Sequence, residues 1–494
     1  MPASSEHQFE PQTLPVELLY LIFENLDSSD LKVCSLVAKL WASLCRPYLF
    51  KKVDLGPYFS QKTKKIVTKR VARLTAVIKK YPYLLDSIRQ VDFTLPHLLV
   101  TWYRRKVNVD GPVTNESLSN VLQFPNVQNL NIHLWQCGIT DDETYRAGTR
   151  HFGWRFLLDQ SIAANQLTSV SLSGLSEVPI LSILSCQNLT SLSMTCCKMM
   201  DVAPSLPVIL TQKKGFTLNH LRAEVVENLP LPLSRLCFSL QSITGLRDTV
   251  FSQVESVASV LYSPSFPSVT SLDFGYVVGW DNNTSFPAVT SLKICSYFNG
   301  LPRFGKVEKF DLSFRDSDEY QDQQWDELSR ILHDSRLHLT DIYLDVYSDD
   351  TACSSLRGIQ VMILSIKGQN ALRSFGIRME EQVNGAEEWW LTSYYSWKQL
   401  GDTLGSLSDF PHLKEASFRL LVAACLSTED DIQEVLEKQA WDGCILHRPL
   451  QALIARMEVK VLRDVCFQGM QQTQPSFGLG PISDDDDDDD EKRT

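Results

Sequence analysis

Paired carboxylates, neighbouring histidines and adjacent cysteines are the residues of this 494-residue chain whose spacing could support chemistry. Asp141-Asp142 and Asp349-Asp350 could act as an acid and a base or bind a metal ion, but both pairs fall in predicted loops, where solvated surface charge is the simpler interpretation. His333 and His338 lack the cysteine or carboxylate companions of a metal site. Cys196-Cys197 follows a predicted strand, where a structural thiol is favoured over a nucleophile.

Motifs for nucleotide binding, acyl transfer and metal-dependent hydrolysis are absent from the sequence. It has no P-loop, no G-x-G-x-x-G after a strand, no G-x-S-x-G and no H-E-x-x-H. The twelve cysteines form no C-x-x-C and show no recurring spacing, so neither a disulfide framework nor a zinc cluster is predicted. Their absence does not exclude an enzyme, but no motif in the sequence calls for catalysis, and no cofactor or metal ion is implied.

A strongly basic segment is the first candidate binding surface. Residues 46–106 contain fifteen Lys/Arg and three Asp, which is a net charge of +12. The spacing predicts a helix over Lys62–Lys80 with one apolar stripe and an otherwise basic surface. Such a surface could bind an acidic partner, either a phosphorylated protein or a nucleic acid. The alternative, that it is only the solvated side of a helix, stays open.

A cluster of large aromatic residues is the second candidate. Five of them occur within nine residues: Trp389, Trp390, Tyr394, Tyr395 and Trp397. Trp390, Tyr394 and Trp397 share one helical face, so packing on a neighbouring element would explain them. Trp389 and Tyr395 lie outside that stripe, so the stripe alone would not bury them. Trp and Tyr are common anchors of protein interfaces. We predict these five residues as candidate substrate-binding residues.

The elements that would position such surfaces begin with an apolar block from Leu14 to Phe50. Its first part has apolar residues at helical spacing, with Pro15 in the first turn. Ser28, Ser29 or Asp30 is expected to cap a second helix, which Pro47 ends or kinks. The apolar stripe of that second helix consists of Leu31, Cys34, Val37, Trp41 and Leu44. Because two or three short helices bury little surface alone, this block is expected to need a partner.

The same block resembles an F-box over about 40 residues without gaps. The residues that carry the resemblance are Leu14-Pro15-Val16-Glu17-Leu18-Leu19, Ile22-Phe23, Leu26, Asp30-Leu31, Cys34-Ser35-Leu36-Val37, Trp41, Pro47 and Leu49-Phe50. One departure is Ala38-Lys39, where the family often has Cys-Lys or Cys-Arg. The resemblance implies docking on a Skp adaptor through Leu14, Pro15, Leu18, Ile22, Leu26, Leu31, Cys34, Val37 and Trp41. The alternative is a helical cap on the following domain.

A repeated strand pattern follows the helical block. The unit apolar-x-x-apolar-x-apolar, typical of leucine-rich repeats, occurs ten times between Ile88 and Phe418, with weaker copies near Leu218 and Leu233. Residues 265–272 and 285–292 are identical at seven of eight positions. Several copies lie farther apart than the roughly 20–29 residues of regular repeats, so we predict a degenerate array.

These patterns together predict an α/β fold. A small all-α F-box, similar to a helical hairpin, precedes a degenerate leucine-rich-repeat solenoid, which is a horseshoe with a concave parallel sheet. The predicted boundaries are a disordered leader at 1–12, the F-box at 13–53, the solenoid at 54–470 and a disordered acidic tail at 471–494. Seven consecutive Asp residues give the tail much of the net charge of -12, so a surface built to neutralise phosphates is not favoured.

Function and compartment follow from the same features. With no secretory signal and no apolar run long enough for a membrane span, we expect a cytoplasmic or nuclear protein that is not secreted and has no membrane partner. An F-box followed by leucine-rich repeats resembles the fungal-type substrate receptors of Skp–cullin–F-box ubiquitin ligases. That resemblance implies a non-catalytic adaptor that binds the Skp adaptor, through it cullin, and a protein substrate for ubiquitination. The alternatives are a non-ligase F-box scaffold and, against the acidic balance, a repeat protein that binds acidic partners or nucleic acid through 46–106.

Overall fold

The structure is a computed structural model of the chain. It describes residues 15–55, 58–60, 65–67, 69–95, 124–134, 154–200, 217–230, 239–247, 249–252, 265–275, 277–278, 284–295, 301–316, 322–348, 352–383, 389–424 and 450–467. The predicted leader (1–12), the acidic tail (471–494) and both carboxylate pairs lie outside the described residues. Within the described part, no helix is both long and apolar enough to cross a bilayer.

The chain divides into two compact units. The first is formed by Met1–Val289 and Phe298–Gly305, and the second by Thr290–Tyr297 and Lys306–Thr494.

Three short helices lie at the start of the first unit. They are α1 (Val16–Glu24), α2 (Ser28–Val37) and α3 (Lys39–Leu49). The Asp27 carboxylate accepts hydrogen bonds from the backbone N–H groups of Ser29 and Asp30, both at 2.8 Å, so Asp27 caps α2 and the predicted cap was wrong. The single long second helix was also wrong, because Ala38 is extended (φ -154°, ψ 156°) and separates α2 from α3. Pro47 lies inside α3 and does not end it.

The basic segment forms a shorter helix than the spacing predicted. The helix α4 spans Lys69–Lys80, and a 3₁₀ helix follows at Pro82–Ser87. Part of the predicted helix instead forms the second strand of an antiparallel pair, β2 (Tyr58–Ser60) with β3 (Lys65–Val67).

A parallel sheet makes up most of the first unit. Its strands pair in chain order: β1 (Lys52–Asp54), β4 (Gln90–Leu95), β5 (Asn129–Leu134), β6 (Ser169–Ser173), β7 (Ser191–Lys198), β8 (His220–Glu227), β10 (Ser242–Arg247) and β12 (Ser271–Phe274). Alternate residues are buried, so that Val170 and Leu172 of β6 align with Leu192 and Met194 of β7. The remaining elements are α5 (Trp154–Ala164), α6 (Ile180–Leu184), β9 (Leu229–Pro230), β11 (Thr249–Ser252), β13 (Val277–Val278), β14 (Ser285–Phe286) and β16 (Arg303–Phe304).

The second unit alternates strands with helices. Its parallel strands also pair in chain order: β15 (Ser291–Cys295), β17 (Lys309–Asp316), β18 (Asp341–Ser348), β19 (Ser374–Val383), β20 (Glu415–Ala424) and β21 (Glu458–Phe467). The helices between them are α7 (Asp322–Ser335), α8 (Ala352–Leu364), α9 (Trp389–Gly405) and α10 (Gln451–Ile454). Parallel neighbours need such crossovers, and from β17 onward each connection contains one of these helices.

The strand predictions agree well with this architecture. Each of the ten strong copies contains a strand, and the weak copy near Leu218 leads into β8. The copy near Leu233 lies outside the described residues, and β10 begins at Ser242. Of the strands that pair in chain order in the two units, β1, β10 and β21 were not predicted. An α/β fold with parallel strands is therefore observed, whereas leucine-rich repeats and a horseshoe stay predictions.

Candidate protein-interaction site

The three N-terminal helices enclose a small core. Leu19, Phe23, Leu31, Leu44 and Cys45 are buried there. Phe23 contacts Trp41 edge to face, with ring centroids 5.7 Å apart and planes at 69°. Burial also raises the pKa of the Cys45 thiol, as expected for a thiol removed from water. The domain therefore has its own hydrophobic centre, although five buried residues make a small one.

Large apolar residues also cover the outside of these helices. On α1, Leu18, Leu21 and Ile22 are exposed at spacings i, i+3 and i+4, which places them on one side of the helix. On α2, Val33, Leu36 and Val37 repeat that spacing, and Leu36 is 85% exposed. Leu31, five residues earlier on the same helix, is only 5% exposed. Each helix thus carries a buried stripe and a separate exposed apolar stripe.

This exposure is concentrated in one part of the chain. Seventeen large hydrophobic residues are exposed among the described residues, and nine of them lie between Val16 and Leu40. Isolated exposed apolar residues are ordinary on protein surfaces, but a local concentration of them indicates an interaction site. We define Leu18, Leu21, Ile22, Val33, Leu36, Val37 and Leu40 as the exposed helical stripes.

The nine predicted Skp-adaptor contacts occupy different environments. Leu18, Ile22 and Val37 are exposed, and Pro15 is the exposed residue before α1. Leu26, Cys34 and Trp41 are half-buried against the core, Leu31 is buried, and Leu14 lies outside the described residues. Four residues of the exposed helical stripes were not among the predicted contacts: Leu21, Val33, Leu36 and Leu40. Extending the i, i+3, i+4 spacing from Leu18 would have found Leu21.

The helical domain is joined to the parallel sheet of the same unit without a gap. The strand β1 begins three residues after α3, and the Lys51 carbonyl accepts hydrogen bonds from Arg89 and Gln90, both at 2.9 Å. Within α3, Arg46 donates a hydrogen bond to the Tyr83 hydroxyl at 2.8 Å. These contacts hold α3 against the segment that precedes β4.

The predicted aromatic cluster lies on α9, but its members do not share one environment. Trp397 is buried and contacts Phe418 edge to face at 6.1 Å. Tyr395 is 70% exposed. The side chains of Trp389, Trp390 and Tyr394 lie outside the described residues. Only Tyr395 is thus seen on a surface that a substrate could reach.

The remaining candidates for chemistry have structural partners. Cys196 and Cys197 lie within β7 and not after it, and complete burial raises the pKa of the Cys197 thiol to about 12, so this thiol is held neutral. His333 Nδ1 lies 2.9 Å from the Ser365 carbonyl, and its Nε2 lies 3.0 Å from Arg336. In the part of the chain that the structure describes, no three His, Cys, Asp or Glu side chains are grouped as metal ligands.

Comparison with known proteins agrees with this description of the helical domain. A family model described as F-box-like matches residues 11–56, which include all three helices and β1. No curated protein matches the chain. The matched segment is the one that carries the exposed helical stripes. This chain therefore contains an F-box-like domain at residues 11–56, which supports its classification as an F-box protein.

Proposed function

We propose that this chain is the substrate-recognition adaptor of a Skp–cullin–F-box ubiquitin ligase. The observation that carries the proposal is the set of exposed helical stripes within an F-box-like domain. F-box proteins are generally non-catalytic adaptors that bind a Skp-type partner. The adaptor would cover the stripes, and the parallel strands and their helices would bind a protein substrate. We place this activity in the cytoplasm or nucleus.

Burial of apolar surface would supply the affinity for the adaptor. Burying an exposed leucine fully contributes about 1.5–3 kcal/mol, so the seven side chains of the stripes together would offset an entropic cost of association of about 4–15 kcal/mol. The ligase would then act by holding the substrate near a ubiquitin-loaded enzyme. The rate gain in such a complex comes from effective concentration and orientation, with no reacting group required from this chain.

Leu36→Asp tests the first step. The full-length protein is co-expressed with a Skp-type adaptor and purified by a tag on the adaptor. We expect the complex to be lost, because a carboxylate would be buried in an apolar interface. The matched control is Leu407→Asp, which makes the same replacement at an exposed leucine of the second unit and should leave the complex intact. Retention of the complex by Leu36→Asp would contradict the proposed docking face.

Cullin recruitment separates a ligase subunit from a non-ligase scaffold. Cullin should co-purify with the wild-type chain and adaptor but be absent with Leu36→Asp. A wild-type complex that contains the adaptor and excludes cullin would favour the scaffold.

Tyr395→Ala tests the predicted substrate-binding residues on α9. Once a substrate is known, we expect this substitution to weaken its binding without changing adaptor binding, since Tyr is a frequent interface anchor. Unchanged substrate affinity would remove the exposed part of the aromatic cluster from the proposed substrate surface.

A further inference from the structure

Two cations meet at one tyrosine beside the F-box-like domain. The guanidinium carbon of Arg46 lies 5.9 Å from the centre of the Tyr81 ring, and Nζ of Lys80 lies 5.3 Å from it. Arg46 also donates its hydrogen bond to the hydroxyl of Tyr83. All four side chains are exposed. We name Arg46, Lys80, Tyr81 and Tyr83 the cation–tyrosine cluster.

Further positive charge extends the cluster along α4. Arg73 and Lys80 are seven residues apart, which is about two helical turns, so they lie on the same side of the helix. Lys79 is also exposed. The apolar side of α4 is marked by Ile78, which is buried. The exposed surface of this helix is therefore basic next to the cluster.

Acidic side chains of the described residues do not neutralise this surface. The Asp92 carboxylate is already paired with Lys52, whose Nζ lies 2.7 Å from it. Within the described part of the chain, Arg46, Arg73, Lys79 and Lys80 form no ion pair with Asp or Glu. Like charges brought together without a counter-charge repel one another, and an external anion would relieve that repulsion.

We propose that the cation–tyrosine cluster, with Arg73 and Lys79, binds an acidic segment of a partner protein that is rich in Asp and Glu. Guanidinium and ammonium groups pair with carboxylates, and exposed tyrosine hydroxyls donate hydrogen bonds to them. Charge complementarity favours this occupant. A nucleic acid is disfavoured because two cations already lie over the Tyr81 ring, where a base would stack.

This binding is independent of the exposed helical stripes and does not require a ligase. The experiment uses the full-length protein and a fluorescein-labelled poly-glutamate peptide, followed by fluorescence anisotropy at low salt. Arg73→Glu/Lys80→Glu should weaken peptide binding by about tenfold or more. The matched control is Arg303→Glu/Lys414→Glu, which reverses two exposed cations elsewhere and should leave the affinity within about twofold. Lys80→Arg keeps the charge and should bind as the wild type does.

Four results would overturn the proposal. They are no peptide binding by the wild type, an equal loss in both double variants, a loss in Lys80→Arg as large as that in Arg73→Glu/Lys80→Glu, and tighter binding of a labelled oligouridylate through the same residues. The last result would assign the surface to nucleic acid. Leu36→Asp should retain peptide affinity, so failure of the adaptor assay and failure of this assay remain distinguishable.

Discussion

The F-box-like helices and the parallel strands distribute their large apolar residues in opposite ways. In β6, Val170 and Leu172 are buried, and the residues between and beside them are serines. The helices of residues 15–50 bury five residues but expose nine large hydrophobic ones. The alternate apolar residues of β6 are thus buried within the chain. The helices leave a second apolar side exposed to solvent.

The difference shows which region buries its apolar residues within the chain and which region leaves many of them exposed. A strand whose alternate residues are buried on one face has its register and packing decided within the chain. An exposed apolar stripe adds nothing to folding stability and raises the risk of association, so its presence on two helices points to a partner. Substitutions should therefore separate stability in one region from binding in the other.

Phe286→Ala should have the largest effect on stability. The ring is fully buried, stacks on Phe266 with centroids 4.8 Å apart, and lies 6.0 Å from Phe304. Removing it should lower the free energy of unfolding of the first unit by about 3–5 kcal/mol, measured by urea denaturation. Leu407→Ala, at an exposed leucine, serves as the control. A loss below 1 kcal/mol would show that this stack does not support the sheet.

Leu31→Ala and Leu36→Ala form a matched pair on α2. Leu31 belongs to the core, so Leu31→Ala should lower the free energy of unfolding by about 2–5 kcal/mol. Leu36 is exposed, so Leu36→Ala should change it by less than about 0.5 kcal/mol. Labelling of the buried Cys45 thiol at neutral pH reports opening of this domain. Labelling should be much faster than in the wild type for Leu31→Ala but not for Leu36→Ala. Similar labelling rates in the two variants would erase the distinction between core and stripe.

Gly358→Ala should destabilise the second unit, although alanine normally favours a helix over glycine by about 1 kcal/mol. A Cβ at this position of α8 would lie within 3 Å of the indole of Trp325. That indole is buried and contacts Phe314 edge to face at 5.1 Å, so it has little room to move. We expect a net loss of about 1–3 kcal/mol in thermal or urea unfolding.

Gly405→Ala is the control, because a Cβ there would meet ordinary contacts at 3.4 Å or more. It should leave stability unchanged or raise it. If Gly358→Ala raised the melting temperature as well, the Trp325 contact would not constrain α8.

The strands were predictable because one buried face demands an apolar residue at every second position. The strand β10 escaped that pattern for a local reason. Gly245 adopts a left-handed conformation (φ 60°), and the pairing of β10 shifts register between Ile243 and Leu246. The apolar residue therefore arrives one position later than the pattern requires. No periodicity reveals such a shift before the backbone is known.

The residues of the exposed helical stripes were only partly predictable, for a different reason. A resemblance identifies the residues that a family shares, but it does not separate those that build the core from those that face a partner. Leu31 and Leu36 are the same residue type on the same helix and have opposite roles in packing. The break at Ala38 also ends the helical phase, so a stripe drawn from Leu31 through Trp41 crosses two helices.

Asp27→Asn should have the smallest effect, which is present near neutral pH and lost at acid pH. Hydrogen bonds from the backbone N–H of Asp30 and from Ser29 hold the pKa of the Asp27 carboxyl below its ordinary value. The carboxylate is therefore favoured in the folded state, and its stabilising contribution is present above the unfolded pKa, about 4. That contribution is lost as the pH falls through the lower folded pKa. Asparagine can still cap the helix but does not titrate in this range.

The measurement is hydrogen exchange across α2, expressed as protection factors at several pH values so that intrinsic exchange rates cancel. Protection in the wild type should exceed that in Asp27→Asn near neutral pH, and the difference should shrink on acidification. Asp30→Asn removes a neighbouring charge without removing the cap, and is the control. A difference between wild type and Asp27→Asn that did not change with pH would mean that the cap acts through geometry alone.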